Sequence, residues 1–333
     1  MYFGVAAYFF GSIERIRYAA ALAIALAGLL ALVVLALLVG RYPLSLSDLP
    51  MLKTVVLEIR GPRILAALLV GASLAAAGTV YQGILRNPLV SPDILGVSSG
   101  AALGAAAAMI FSMNVLMVQA FAFAGGLLAV ALVYWIGSRL RGHDPLLALV
   151  LTGVVVGTLL GAAVSLLKTL ADPLGQLPAI TFWLLGSLAS VAPRELAVAA
   201  PLAIAGLIPL ALLRWRVNLL TLPDDEARAL GADPGQLRLL VIAAATLMTA
   251  AAVAISGIIG WIGLLVPHAA RLLVGPGFGR LLPLAMLLGA AFLLAVDTLC
   301  RAATAVELPP GVVTALIGTP LFLWLFALSR RSW

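Results

Sequence analysis

Apolar residues run through this chain in blocks of about 20, the length a helix needs to cross a hydrocarbon core about 30 Å thick. Short stretches rich in proline, glycine and charge separate the blocks. In order they predict spans at 18–40, 61–84, 94–112, 118–137, 146–166, 195–213, 237–255, 258–274, 281–300 and 311–328. The blocks are rich in Ala and Leu and lack the two-residue alternation of a membrane barrel. The expected fold is an all-α polytopic membrane protein with about ten transmembrane helices, residues 1–333 forming a single transmembrane domain. The first block follows Arg15 and Arg17 and is too long for a cleaved signal, so it reads as a permanent span.

The breaks carry the information. "RNPLVSPDILGVSSGA" (86–101) follows the second span. Pro88 and Pro92 stop a helix, and the residue before each is pushed towards extended backbone. Asp93 is placed to cap the third span, and Gly96 with Gly100 gives that span a close-packing face. The stretch reads as a hinge-like turn between two spans. Between spans six and seven, "RWRVNLLTLPDDEARALGADPGQLRLL" predicts a compact elbow at 222–236. Asp224 or Asp225 starts a short helix, Asp224 is spaced to pair with Arg228, and Gly231 suits the stop. Asp233 then caps a new helix with Pro234 at its first position. A structured, charged elbow at mid-chain is a docking surface for a cytosolic partner.

Composition agrees with a membrane chain. Of the 333 residues 64% are hydrophobic and 10% charged, against about 25% charged in a soluble domain. The net charge of +7 would raise nucleic-acid binding in a soluble protein. Here the basic residues lie between the apolar blocks, so the charge reads as topology and no nucleic-acid partner is expected. With the N-terminus inside, thirteen Lys and Arg fall on the inner side and seven on the outer, which puts both termini in the cytoplasm.

Two readings stand for the outer arginines Arg60, Arg63 and Arg301: helix-end anchors at the interface, or a basic surface that receives an acidic partner. Asp297, the one acid in the interior of a predicted span (Glu195 only opens another), shares a helix face with Arg301. The remaining carboxylates, both histidines and the lysines fall away from span centres, His143 and His268 being placed in loops or at helix ends. A carrier driven by protons or ions keeps an ionisable relay at mid-membrane, so the energy source is expected in another subunit. Gly153, Gly157 and Gly161 recur every four residues in span five and fit close helix packing, a pathway lining or a dimer contact. The one cysteine, Cys300, allows no disulfide within the chain and no thiolate metal cluster. No phosphate-binding Gly-Lys-Ser/Thr loop or HExxH is present, and the one GxSxG match, Gly96 to Gly100 (GVSSG), has no His near Ser98 or Ser99, so neither ATP hydrolysis nor other catalysis is expected of this chain.

Four segments, "RNPLVSPDILGVSSGA" (86–101), "DDEARALGA" (224–232), "GIIGWIGLLVPHAARLL" (257–273) and "ELPPGVVTALIGTPLFLWLF" (307–326), together resemble the FecCD family of ABC importer permeases. The resemblance implies a type II ABC importer permease that takes up ferric siderophores, haem or cobalamin. It implies a second permease copy, two cytoplasmic ATPase subunits that use ATP and Mg, and a periplasmic or lipid-anchored binding protein. It implies a cell inner-membrane location and no cofactor or metal bound by this chain. By the same resemblance Asn87, Pro88 and Leu89, with His143, Asp144 and Pro145, form the cytoplasmic gate. Asp224, Asp225, Glu226, Arg228, Ala229, Leu230 and Gly231 couple to the ATPase. Arg60, Arg63 and Arg301 meet glutamates of the binding protein, and "TFWLLGSL" (181–188) lines the cavity mouth. The competing expectation is a stand-alone secondary transporter or channel for a small solute, which predicts transport without ATP.

Overall fold

A computed structural model describes residues 2–40, 53–140, 144–304 and 306–328 of the chain. Every regular element among them is helical. The first pass is α1 (Tyr2–Leu38), so the residues ahead of the predicted span continue the same helix. The second is a π-wound turn, Val55–Arg60, running directly into α2 (Gly61–Ile84). Then follow α3 (Val97–Ile110), α4 (Val115–Gly137) and α5 (Pro145–Leu170). After α5 come a short helix α6 (Gln176–Leu184) and the long α7 (Pro193–Leu212). A one-turn α8 (Arg214–Val217) leads to the elbow, which contains α9 (Asp224–Ala229). The chain closes with α10 (Pro234–Ser256), α11 (Ile262–Val274), α12 (Phe278–Ala302) and α13 (Pro310–Leu328).

Eight of these helices are long and apolar enough to cross a membrane; α3 and α11 are apolar but shorter. Counting those two, the described residues make ten passes, in line with the apolar pattern. Alternate passes put the 86–96 turn, the elbow, the start of α12 and the end of α13 at one end of the bundle, here the elbow end.

The bundle is built around α2 and α10, each 78% buried along its apolar window, whereas α1 is 11% buried. Lipid is as apolar as leucine, so helices are drawn together by close packing rather than by hydrophobicity, and small residues let them approach. The sequence supplies this at the centre: the "SLAAAGTV" stretch of α2 and the "TAAAVAIS" stretch of α10 are almost entirely buried. Large residues fill the remaining gaps, Tyr81, Ile84, Leu210 and Met248 in one cluster and Leu74, Ile262 and Leu293 in another. Leu30, Leu128, Leu159 and Leu212 point outwards, as lipid-facing positions should.

Candidate functional site

The two short passes are short because backbone beside them is irregular within the bundle. Before α3, Pro92–Leu95 forms a single tight turn that Ser91 opens by accepting the Asp93 N–H. This turn lies against Gly153, eight residues into α5 and hence about 12 Å in from that helix's start. Before α11, the 257–261 stretch contains Trp261 at φ +73°, a left-handed conformation costly for a bulky side chain. Trp261 is braced by α13, its ring centroid 6.4 Å from that of Phe322 and its Cβ against Gly318. The two irregular segments meet where Pro92 packs onto Gly263.

Irregular backbone at this depth persists only where protein or water covers its polar groups, and Gln82 of α2 does part of this. Its side-chain amide approaches three carbonyls, Leu264 at 3.1 Å and Val90 and Gly263 at 3.4 Å. Pro267 lacks the N–H that would bond the Gly263 carbonyl within α11, so Gln82 stands in for the missing donor. Sequence reasoning passed over Gln82. The signal was a buried amide in an otherwise apolar span, one helical turn before Arg86.

The residues expected to form the gate lie at the elbow end. The Asn87 side-chain oxygen accepts the Leu89 N–H at 2.9 Å and holds the turn, and Leu89 projects with 52% of its surface exposed. Arg86 takes φ +49° to lead into it. Asp144 caps α5, accepting from Leu146 at 2.7 Å and Leu147 at 3.2 Å, with Pro145 in the first turn. His143 lies outside the described residues. Asp93 does not cap α3 by bonding its backbone; it accepts the Ser98 hydroxyl, and α3 starts instead after Gly96 at φ +79°.

The elbow folds as a helix, a turn and a second helix. Gly231, at φ +81°, ends the α9 segment, and Asp233 accepts from Gly235 at 2.9 Å and Gln236 at 3.2 Å to start α10. Asp225, Glu226, Arg228, Ala229, Leu230 and Gly231 are exposed on one side, while Ala227 is buried. A cleft of about 330 Å3 beside them is lined by Arg216, Leu230, Asp233, Gln236 and Leu237. The pairing differs from the expected one. Arg228 bonds Asp225 at 2.9 Å, not Asp224. Asp224 turns inward to Arg238 at 2.9 Å and lies 3.7 Å from Arg86.

At the opposite end the expected basic surface is not on the surface. Arg60, Arg63 and Arg301 are 4%, 9% and 7% exposed. Arg63 donates to both carboxylate oxygens of Asp297, at 2.7–3.0 Å, and also to Glu307. Arg301 lies 3.5 Å from Asp297, as the four-residue spacing predicts, and donates to the Ala36 carbonyl at 2.9 Å. Arg60 donates to the Leu37 carbonyl. Because Val55–Arg60 continues α2 by a further turn and a half, Arg60 and Arg63 sit inside a helix rather than at its start, whereas Arg301 does stand at the end of α12. They tie the ends of α1, α2 and α12 to the segment before α13. At the same end of the bundle, α6 contributes Phe182 and Trp183 to a cavity of about 370 Å3 shared with Met109, Met113, Gln119 and Ser187. The glycine row of α5 divides: Gly153 abuts the Ile94 carbonyl, Gly157 makes ordinary contact with Ser99, and Gly161 faces open space. His268 is not in a loop. It is buried midway along α11, its ring centroid 5.8 Å from that of Phe322.

Ten helical passes, a structured elbow and two broken segments meeting at mid-bundle describe a transport protein's frame. The FecCD transport family matches residues 5–327. The chain belongs to this family. It is 43% identical over 284 residues to a probable iron chelatin transport system permease protein of Helicobacter pylori, covering 85% of each chain. It is 42% identical over 306 residues to a molybdate import system permease protein of Haemophilus influenzae, covering 87% of this chain and 90% of that one. Among solved structures, a metal-chelate type ABC transporter in an inward-facing conformation superposes with a TM-score of 0.86 at 41% identity, covering 92% of this chain and 98% of that chain. This FecCD member is therefore a polytopic membrane permease of the ABC transport class.

Proposed function

We propose that this permease is the membrane-spanning subunit of a binding-protein-dependent ABC importer and moves a metal chelate into the cytoplasm by alternating access. Two copies enclose the pathway, two ATPase subunits seat on the 222–236 elbows, and a periplasmic or lipid-anchored binding protein delivers cargo at the opposite end. ATP and Mg act in the ATPase subunits, this chain holding no cofactor of its own. The assembly lies in the cell inner membrane with both termini cytoplasmic.

The observation that carries this reading is the elbow itself. Its outward side offers Asp225, Glu226, Arg228 and Leu230 to a partner, while its inward side is fixed to the bundle through Asp224 and Arg238. A surface of that kind receives force and passes it on. The Asn87–Leu89 turn at the same end supplies an apolar tip that can close a pathway between two copies. At the other end, the burial of Arg60, Arg63 and Arg301 favours support beneath a docking surface over direct contact with the binding protein.

Ferric siderophores lead the cargo order, a first place supported by the chelate-named relative and solved structure; haem follows and cobalamin is third, although relatives named for both cargoes lie at similar identity. The molybdate-named relative, at nearly the same identity, adds an oxyanion to the panel. The test is uptake into proteoliposomes holding the whole complex, with radiolabelled ferric siderophores, haem, cobalamin and molybdate, with and without ATP. Uptake of one cargo that requires ATP is expected. Equal uptake by the permease alone without ATP would overturn the reading and favour a stand-alone carrier.

A further inference from the structure

Arg86 joins the Asn87–Leu89 turn to the elbow. It donates through Nε to the Leu220 carbonyl at 3.4 Å and through its terminal nitrogen to the Leu222 carbonyl. The same guanidinium lies 3.7 Å from the Asp224 carboxylate, whose Oδ1 also accepts from Arg238 at 2.9 Å. One arginine, immediately ahead of Asn87, thus grips two backbone carbonyls and the first residue of α9. Arg86 and Asp224 are half-buried, with side chains 35% and 30% exposed, so solvent screens the pair only in part. Behind Arg86 stands α2, packed on α11 and α12 through close glycine contacts, so the guanidinium is mounted on a stiff base. A planar fork that engages several acceptors holds relative orientation as well as distance, which a lysine ammonium does not. Arg86 adopts a left-handed backbone conformation to make this reach, and such strain persists where the surroundings fix it.

We infer that Arg86 is a transmission residue: it ties the Asn87–Leu89 turn to α9, so that displacement of the elbow by an ATPase subunit is passed directly to Leu89. The inference rests on the ABC importer reading above and names the contact that does the work on this chain.

The test uses the whole complex carrying Leu89→Cys in both permease copies, nitroxide-labelled, with the interlabel distance measured in the absence of nucleotide and with ATP trapped by vanadate. The otherwise unmodified complex is expected to show a distance change on trapping. Arg86→Ala is expected to lose most of that change while the elbow still crosslinks to the ATPase through Leu230→Cys. Arg86→Lys, which keeps the charge and loses the fork, is expected to restore only part of it. Asp224→Asn, nearly the same shape without the charge, is expected to weaken the change too, so the result does not depend on one variant. A full distance change in both Arg86→Ala and Asp224→Asn would overturn the inference and leave the importer reading intact. No distance change in the complex carrying only labelled Leu89→Cys would overturn the inference together with the placing of the gate at Leu89, and ATP-dependent uptake by the same complex tests the importer reading separately.

Discussion

Gly78 of α2 and Gly263 of α11 pack backbone against backbone: a methyl group placed on Gly78 would overlap the Gly263 carbonyl. Helices in lipid gain their attraction from such close approach. The contact also sets where the irregular 257–261 segment ends and α11 begins. Gly263 has Pro92 on its other side, its added Cβ falling 2.5 Å from the proline ring, so one pair of glycines positions both broken segments.

Substituting Gly78 by Ala should therefore be costly although alanine is the better helix former. Overpacking against backbone destabilises by about 1–3 kcal/mol, and here no flexible side chain can yield. Thermal unfolding in detergent should show a lowered midpoint for Gly78→Ala. Gly161→Ala, which faces open space, should leave the permease's own midpoint unchanged. Equal midpoints for the two variants would refute the packing account.

The buried arginines should behave as parts of one cluster. Asp297 is fully buried between Arg63 and Arg301, so Asp297→Ala leaves two cations without their shared carboxylate. Breaking a buried pair costs about 3–5 kcal/mol. Arg63→Ala in the Asp297→Ala background should cost far less than in the native chain, a coupling that a double-mutant cycle on unfolding reads directly. Additive losses would mean that the pair contributes little.

How much of this was legible beforehand depends on the kind of signal. The ten passes followed from apolar blocks long enough to span a bilayer, and the elbow from Asp233, Pro234 and Gly231, whose preferences are local. The Asp297–Arg301 pair also followed, because four-residue spacing on a helix is fixed by its pitch. Arg63 is 234 residues from Asp297, and no local rule brings them together. The same holds for Asp224: its near neighbour Arg228 looked like its partner, but tertiary packing supplied Arg238 and Arg86 instead. Because the apolar block starts at 61, the sequence places Arg60 and Arg63 at a helix end. The helix starts earlier, through "VVLEIR", whose charges disguise it. His268 falls well inside the 258–274 block, so its place midway along α11 agrees with that block's bounds and not with a loop or helix end.

Gln82 offers a test of the broken segments. Gln82→Leu keeps the bulk and removes the donor that serves the Val90, Gly263 and Leu264 carbonyls. Leaving buried acceptors short of a donor costs about 1–3 kcal/mol. Faster hydrogen exchange is expected in 87–96 and 257–265, with the centre of α10 unaffected. Exchange that rises evenly along the chain would point to general loosening instead.

On the elbow, charge reversal should separate binding from folding. Asp225 and Glu226 are exposed on α9, so Asp225→Lys with Glu226→Lys should change unfolding by no more than about 0.5 kcal/mol per site. The same variant should lose co-purification with the ATPase subunits, because like charges set against a partner surface are strongly unfavourable. Retained co-purification at low and moderate salt would remove these two carboxylates from the contact.

Leu89 is the sharpest test of the gate. Its side chain is half exposed on a turn held by Asn87 rather than packed in the core, so changing it costs the fold little. If two copies close the pathway by bringing their Leu89 tips together, Leu89→Cys in both should crosslink under oxidation in one nucleotide state and not in the other. Crosslinking should stop uptake and a reductant should restore it. Leu89→Ala should leak cargo in both directions, with an unfolding midpoint close to that of the native chain. Wild-type uptake and no leak in Leu89→Ala would place the constriction elsewhere, with the segment capped by Asp144 as the next position to examine.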